Sequence, residues 1–176
     1  MSIDLYVYTS ADVLLRPDDL IANAVDIEWD VDLIKDFESL APAEFPGLCT
    51  ILGWDRAGAE QPAVRGALAA RDQAQLDAFY RQELWALVDL SVESPFAPDL
   101  EELKELEEHG IDPRHMQQLR EARTRYTLTT NASRNDLSEE LQTHLWVLIG
   151  VLTDGLCEDP QEGRFITAAD VTDDTE

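Results

Sequence analysis

"VDIEWDVDL", residues 25–33, alternates apolar and acidic side chains without a break. Asp26, Glu28, Asp30 and Asp32 fall on one parity; Val25, Ile27, Trp29, Val31 and Leu33 fall on the other. A period of two is the signature of a strand with one dry face and one wet face. The stretch therefore predicts a strand over 25–33 that buries Trp29 and its parity mates and turns four carboxylates to solvent. Chemistry at such a row, or recognition by it, depends on what the rest of the chain supplies.

On either side of it the pattern mixes periods. "IDLYVYT", 3–9, alternates and is rich in β-formers, and "RPDDLIANA" carries Pro17 where the first turn of a short helix accepts it. "PAEFPG" reads as a loop, and "LCTILGW", 48–54, as a buried strand. "DRAGAEQPAVRG" has the Gly, Pro and charge content of a surface loop. From Ala67 the spacing of Leu68, Leu76, Phe79, Tyr80, Leu84, Leu87 and Val88 is helical, so a helical block is expected over about 67–122.

Within that block Asp99 reads as an N-cap with Glu102 as its partner, Gly110 as a left-handed stop, and Asp112-Pro113 as the next start. "TRYTLTTNA", 124–132, reads as a strand. Asp136 with Glu139 is a second capping pair, opening a long helix that ends at Gly155. "GLCEDPQEGRFITA" reads as strand, turn and returning strand. The expected fold is α+β: a mainly antiparallel sheet with helices packed on one face, in a single domain over 1–168. An acidic flexible tail is expected over 169–176.

Composition narrows the function. The 176 residues carry 37 acids against 13 bases, a formal net charge of −24, and 44% apolar residues, enough for a proper core. Such a field repels nucleic acid and anionic membranes and attracts basic partners. The longest apolar run, "LWVLIGVL", is eight residues, and "MSIDLYVYTS" lacks the pattern of a secretory leader. Cys49 and Cys157 are too few for a disulfide framework and read as buried free thiols. A cytoplasmic protein fits these features.

Catalytic signatures are not found. His109, His115 and His144 lack metal-ligand spacing to one another or to cysteine. No G-x-S-x-G turn and no phosphate-cradling glycine loop is present. The row Asp26, Glu28, Asp30 and Asp32 offers oxygens to Mg²⁺ or Ca²⁺, but alternate strand residues stand about 6.6 Å apart and converge on one ion only with help from elsewhere. No cofactor and no metal is expected. A carboxylate-based or metal-assisted enzyme stays open as a second reading, because three-dimensional separation decides that chemistry.

Charge patterning favours recognition. "DLEELKELEEHGID" holds Leu100, Leu103 and Leu106 on one helix face and Glu101, Glu102, Glu105, Glu107 and Glu108 around the rest, with Lys104 alone to offset them. Like charges at i,i+4, as in Glu101/Glu105, cost a few tenths of a kcal/mol. "CEDPQE" and "DVTDDTE" are further acidic runs. Arginines concentrate at Arg114, Arg120, Arg123, Arg125 and Arg134, where they serve either internal neutralisation or pairing in a homodimer. The partner-binding candidates are Asp26, Glu28, Asp30, Asp32, Glu101, Glu105 and Glu108. The partner expected is a basic protein rather than nucleic acid or membrane.

The ending resembles a known pattern. Over about 125–168, Thr153, Gly155, Leu156, Asp159, Pro160, Gln161, Gly163, Arg164 and Phe165 follow an amphipathic helix. This resembles the strand–helix–hairpin ending of small uncharacterised bacterial proteins, some of them immunity partners of secreted toxins. The resemblance covers about a quarter of the chain and implies no catalytic residue. With the acidity, it leads to an expected function: an immunity-type inhibitor that neutralises a basic toxin or enzyme by occlusion. The charge is also compatible with a DNA mimic, or with an accessory protein whose acidity serves solubility.

Overall fold

The computed structural model describes residues 2–12 and 14–173. Strand β1 (Ile3–Thr9) is followed by helix α1 (Pro17–Ala24), strand β2 (Trp29–Ile34), strand β3 (Gly47–Asp55) and helices α2 (Gln61–Ala69) and α3 (Gln73–Arg81). Strand β4 (Ala86–Glu93), helices α4 (Leu100–Glu108) and α5 (Pro113–Glu121), strand β5 (Thr124–Thr130) and helix α6 (Asp136–Thr153) come next. Strands β6 (Leu156–Asp159) and β7 (Arg164–Ile166) and helix α7 (Ala168–Asp173) complete the chain. All described strands join one antiparallel sheet in the order β2-β3-β4-β5-β1-β6-β7. The α+β, antiparallel expectation is met.

The opening stretch is only partly a strand. Val25–Ile27 continue α1 as a 3-10 turn, and Glu28 takes a left-handed conformation at φ 66°. Strand geometry begins at Trp29. The reason is packing: Leu20 and Ala24 are fully buried, so α1 is held against the core and the chain must reverse at once to enter β2. The Glu28 N–H closes the turn on the Val25 carbonyl at 3.2 Å. Trp29, Val31 and Leu33 are buried as expected, while Val25 and Ile27 are half-buried.

Helices lie on both faces of the sheet, which corrects the one-face expectation. On the first face α1 and α6 cover Leu5 and Val7 of β1, Val88 and Leu90 of β4, and Tyr126 and Leu128 of β5, a continuous core with Leu141, Leu145, Trp146 and Ile149. Two glycines set this close approach: a Cβ on Gly53 would run into the Leu141 side chain, and one on Gly150 into Cys157 Sγ. On the second face the apolar residues split into two clusters. Trp54, Val64, Leu76 and Trp85 gather under α2 and α3 at one end; Tyr8, Leu103, Met116 and Leu119 gather under α4 and α5 at the other.

The helical block over 67–122 is interrupted. Residues 84–91 continue the leucine spacing, yet Ala86–Glu93 form β4, at the centre of the sheet between β3 and β5. Its own period of two is visible in "VDLSVE", with Val88, Leu90 and Val92 buried and Asp89 and Glu93 exposed. The expected surface loop at 55–66 is also half wrong, because Gln61–Ala69 is helical with Pro62 in its first turn and Val64 and Ala67 buried. Asp99 caps α4 through the Glu101 and Glu102 amides. The cap of α6 is Asn135, not Asp136, and its side chain accepts from the Ser138 amide at 2.8 Å. The expected flexible tail is helical over Ala168–Asp173, where Asp170 Oδ2 accepts from the Thr167 amide at 2.6 Å. Residues 174–176 lie outside the described residues.

Candidate functional site

The four-carboxylate row does not exist as a row. Only Asp30 and Asp32 stand on β2, and both are already paired: Asp32 Oδ2 accepts from Arg65 Nη1 at 2.8 Å, and Asp30 lies 3.6 Å from Arg56. Arg65 comes from α2, the helix the loop expectation missed, and its guanidinium also sits 4.1 Å above the Trp54 ring. Asp26 and Glu28 are exposed but belong to the turn, off the strand. Half of the expected row is thus neutralised internally and half is displaced from the strand.

The second acidic element keeps its charge. Glu101, Glu105 and Glu108 are exposed on α4. Lys104 reaches Glu108 only at 3.9 Å, and Arg120 takes Glu107 at 3.1 Å. Among the described residues Glu101 and Glu105 have no ion pair. Beside them Leu100 is 81% exposed, an apolar side chain turned to solvent at the start of the acidic face.

The open centre of the second sheet face adds what sequence reading missed. Between the two helical pairs, Asp4, Thr129, Asp89 and Thr50 run in register across β1, β5, β4 and β3. Thr129 donates to Asp4 at 2.8 Å and Thr50 to Asp89 at 3.1 Å, which fixes the carboxylates without neutralising them. Leu48, 69% exposed, lies on the same parity of β3. Arg125, on the same parity of β5 as Thr129, is engaged by Glu93 at 2.9 Å. Of the arginine-rich segment, Arg120, Arg123, Arg125 and Arg134 pair within the fold, whereas Arg114 is exposed and has no ion pair among the described residues. The signal for the shelf was the acidic parity of "VDLSVE", hidden by the helical reading of that stretch.

One carboxyl has a chemically distinct setting. Glu158 of β6 is buried, and Tyr8 donates its hydroxyl to it at 2.6 Å. Burial pushes the Glu158 carboxyl above the usual range; the Tyr8 hydrogen bond opposes this and the Glu102 charge adds to it. The space above the pair, beneath α4, is about 10 Å³, room for a single water at most. The same burial raises Tyr8. Cys49 and Cys157 are buried free thiols, pushed up to about 12 by desolvation, which is the opposite of a nucleophile's setting.

The histidines take structural places. His109 is the C-cap of α4, its Nδ1 2.6 Å from the Glu105 carbonyl oxygen. His144 Nδ1 accepts from the Trp29 indole at 2.8 Å, which ties α6 to β2. His115 packs near the Phe165 ring. Among the described residues no group of three or more His, Cys, Asp or Glu side chains is placed to hold a metal ion. Among them, too, no helix is long and apolar enough to cross a membrane.

What the arrangement can do follows from charge and shape. Two helical pairs flank a shelf of fixed carboxylates and hydroxyls, and one of those helices adds an exposed leucine and two glutamates that have no ion pair among the described residues. Such a surface attracts cations at long range and offers apolar contact at short range. No protein-family model, no curated protein and no solved structure matches this chain.

Proposed function

We propose that this chain is a non-catalytic acidic binding module that acts in the cytoplasm as an immunity-type inhibitor, neutralising a basic toxin or enzyme by occlusion. The observation that carries the reading is the unequal fate of the acids. Asp30 and Asp32 are bound to Arg56 and Arg65, whereas Glu101 and Glu105 on α4 stay without an ion pair among the described residues, beside the 81% exposed Leu100. A fold that neutralises one acidic stretch with its own arginines and leaves another open supports a use for the open one. The acidic shelf of Asp4 and Asp89 lies on the same side of the sheet and extends the surface. Complementary charge gives fast association and partner discrimination, and the exposed leucines supply contact that charge alone does not.

The test begins with affinity capture from cells that carry the gene, followed by binding of the purified partner across a salt series. A basic partner is expected, with affinity falling steeply as salt rises. Glu101→Gln/Glu105→Gln/Glu108→Gln should weaken binding by about tenfold or more and flatten the salt dependence while circular dichroism stays unchanged. Asp30→Asn/Asp32→Asn should weaken it less, because those charges are already paired. A partner that is not basic, or one whose affinity ignores salt and the α4 substitutions, removes this reading.

A further inference from the structure

A cavity of about 300 Å³ opens at one end of the acidic shelf, between α3, the β2–β3 loop and the turn before α6. Leu87 and Asn131 line it, each two residues along the chain from a shelf member, Asp89 and Thr129 respectively. The pocket therefore continues the shelf rather than standing apart from it. Three aromatic rings form its wall. Tyr80 meets Trp85 edge to face at 5.3 Å between centroids, and Phe37 meets Trp85 at 6.5 Å and 77°.

The polar atoms of those rings are spoken for elsewhere. Trp85 Nε1 donates to the Leu76 carbonyl at 3.0 Å, and the Tyr80 hydroxyl bonds Ser138 Oγ at 3.1 Å. Asn135 locks this wall from behind, donating to the carbonyls of Tyr80 and Trp85 at 2.8 and 2.9 Å. What the wall offers the cavity is then carbon and π-surface, held rigid. At the rim stands one carboxylate, Asp77; its Oδ1 accepts from Gln73 Nε2 at 2.7 Å, and among the described residues it has no ion pair. Phe37, 41% exposed, forms the outer edge.

Aromatic walls with a single acid at the mouth suit a weakly hydrated, planar cation, whose stem packs on the rings and whose charge meets both the π-electrons and the carboxylate. We infer that this pocket takes one arginine side chain of the basic partner, as the anchor of the surface described above. The inference rests on the proposed function for the source of that arginine, and on the pocket's own geometry for the chemistry. A neutral apolar side chain would leave Asp77 without a counter-ion; a lysine would have to shed more water and match the flat rings less well.

The experiment uses the whole chain and two small probes, N-acetylarginine amide and its neutral isostere N-acetylcitrulline amide, followed by NMR shift mapping. The arginine probe should perturb the amides of Asp77, Tyr80 and Asn131 and the Trp85 indole, with citrulline at least roughly fivefold weaker. Phe37→Ala, a change at a half-exposed loop residue, and Asp77→Asn should each weaken the arginine probe by about fivefold with the spectrum otherwise native. Equal response to citrulline, stronger response to N-acetylleucine amide, or shifts elsewhere on the molecule overturn the inference. It also falls if a basic partner binds through α4 with salt dependence while Phe37→Ala and Asp77→Asn leave that affinity unchanged, and the proposed function then stands without it. Arginine seated in the pocket when no basic partner can be found supports the pocket and sinks the proposed function instead.

Discussion

The two faces of the sheet both carry helices but solve different problems. On the first, α6 lies close over the strands, with Leu141, Leu145, Trp146 and Ile149 nearly or fully buried and Trp146 Nε1 satisfied by the Tyr6 carbonyl at 2.9 Å. Gly53 and Gly150 permit that approach. On the second, two helical pairs cover only the ends, and the middle stays polar. The first face holds the fold; the second is free to carry charge because the stability it contributes comes from two separate clusters and not from its centre. Marginal net stability makes such a division useful: a surface rich in like charges is tolerable only where another region supplies the packing.

The largest way to break that contrast is to open the first face. Trp146→Ala should cost about 3–5 kcal/mol in denaturant unfolding, whereas Leu100→Ala on the second should stay within about 0.5 kcal/mol. Comparable losses at the two sites would mean that the faces do not divide the work. Gly150→Ala comes next, at about 1–3 kcal/mol, because its methyl meets Cys157 Sγ. Cys157→Ala in the same chain should recover part of that loss; strict additivity would show that the clash is not the cause.

A pH series sharpens the comparison on the second face, beneath α4. Burial raises the Glu158 carboxyl in the fold relative to an ordinary value of 4.5. The folded state therefore binds this proton more tightly than the unfolded chain does. Its contribution to stability is full below the ordinary value and is lost as pH rises through the raised one. Glu158→Gln should thus gain on the parent as pH climbs from acid to neutral; a gap that stays constant with pH would contradict the assignment. Tyr8→Phe removes the donor at 2.6 Å and should cost about 1–3 kcal/mol. Smallest of all, Asp32→Asn should change stability by no more than about 1 kcal/mol, since both partners of the Arg65 pair are roughly 40% exposed and solvent screens them.

How far these features were readable from residues varies with the distance over which they are decided. Strands β1 and β5, the β6–β7 hairpin and the starts of α4 and α5 were legible, because each is announced within a few residues: alternation in "IDLYVYT" and "TRYTLTT", Asp99 as a cap, Asp112-Pro113 as a start. Strand β4 was missed although "VDLSVE" alternates, since Leu84 and Leu87 extend the helical spacing of α3 across a boundary that carries no glycine or proline. Helix α2 was missed because Gly58, Pro62 and Gly66 look like a loop, when Pro62 in fact sits in a helix's first turn. Glu28 gave no sign of a left-handed turn.

By itself the sequence determined the α+β class, the acidity and the burial of Trp29, Val31 and Leu33, all of which follow from periodicity and composition. Only the tertiary structure decided which acids remain open. Period two says that Asp30 and Asp32 share a face; it cannot say that Arg56 and Arg65 stand across from them. Nor can it bring Asp4 beside Thr129, or Phe37, Tyr80 and Trp85 into one wall. Local pattern sets the direction in which a side chain points. What it meets there is settled by segments dozens of residues away, and the acidic shelf and the aromatic wall of this protein are made of such meetings.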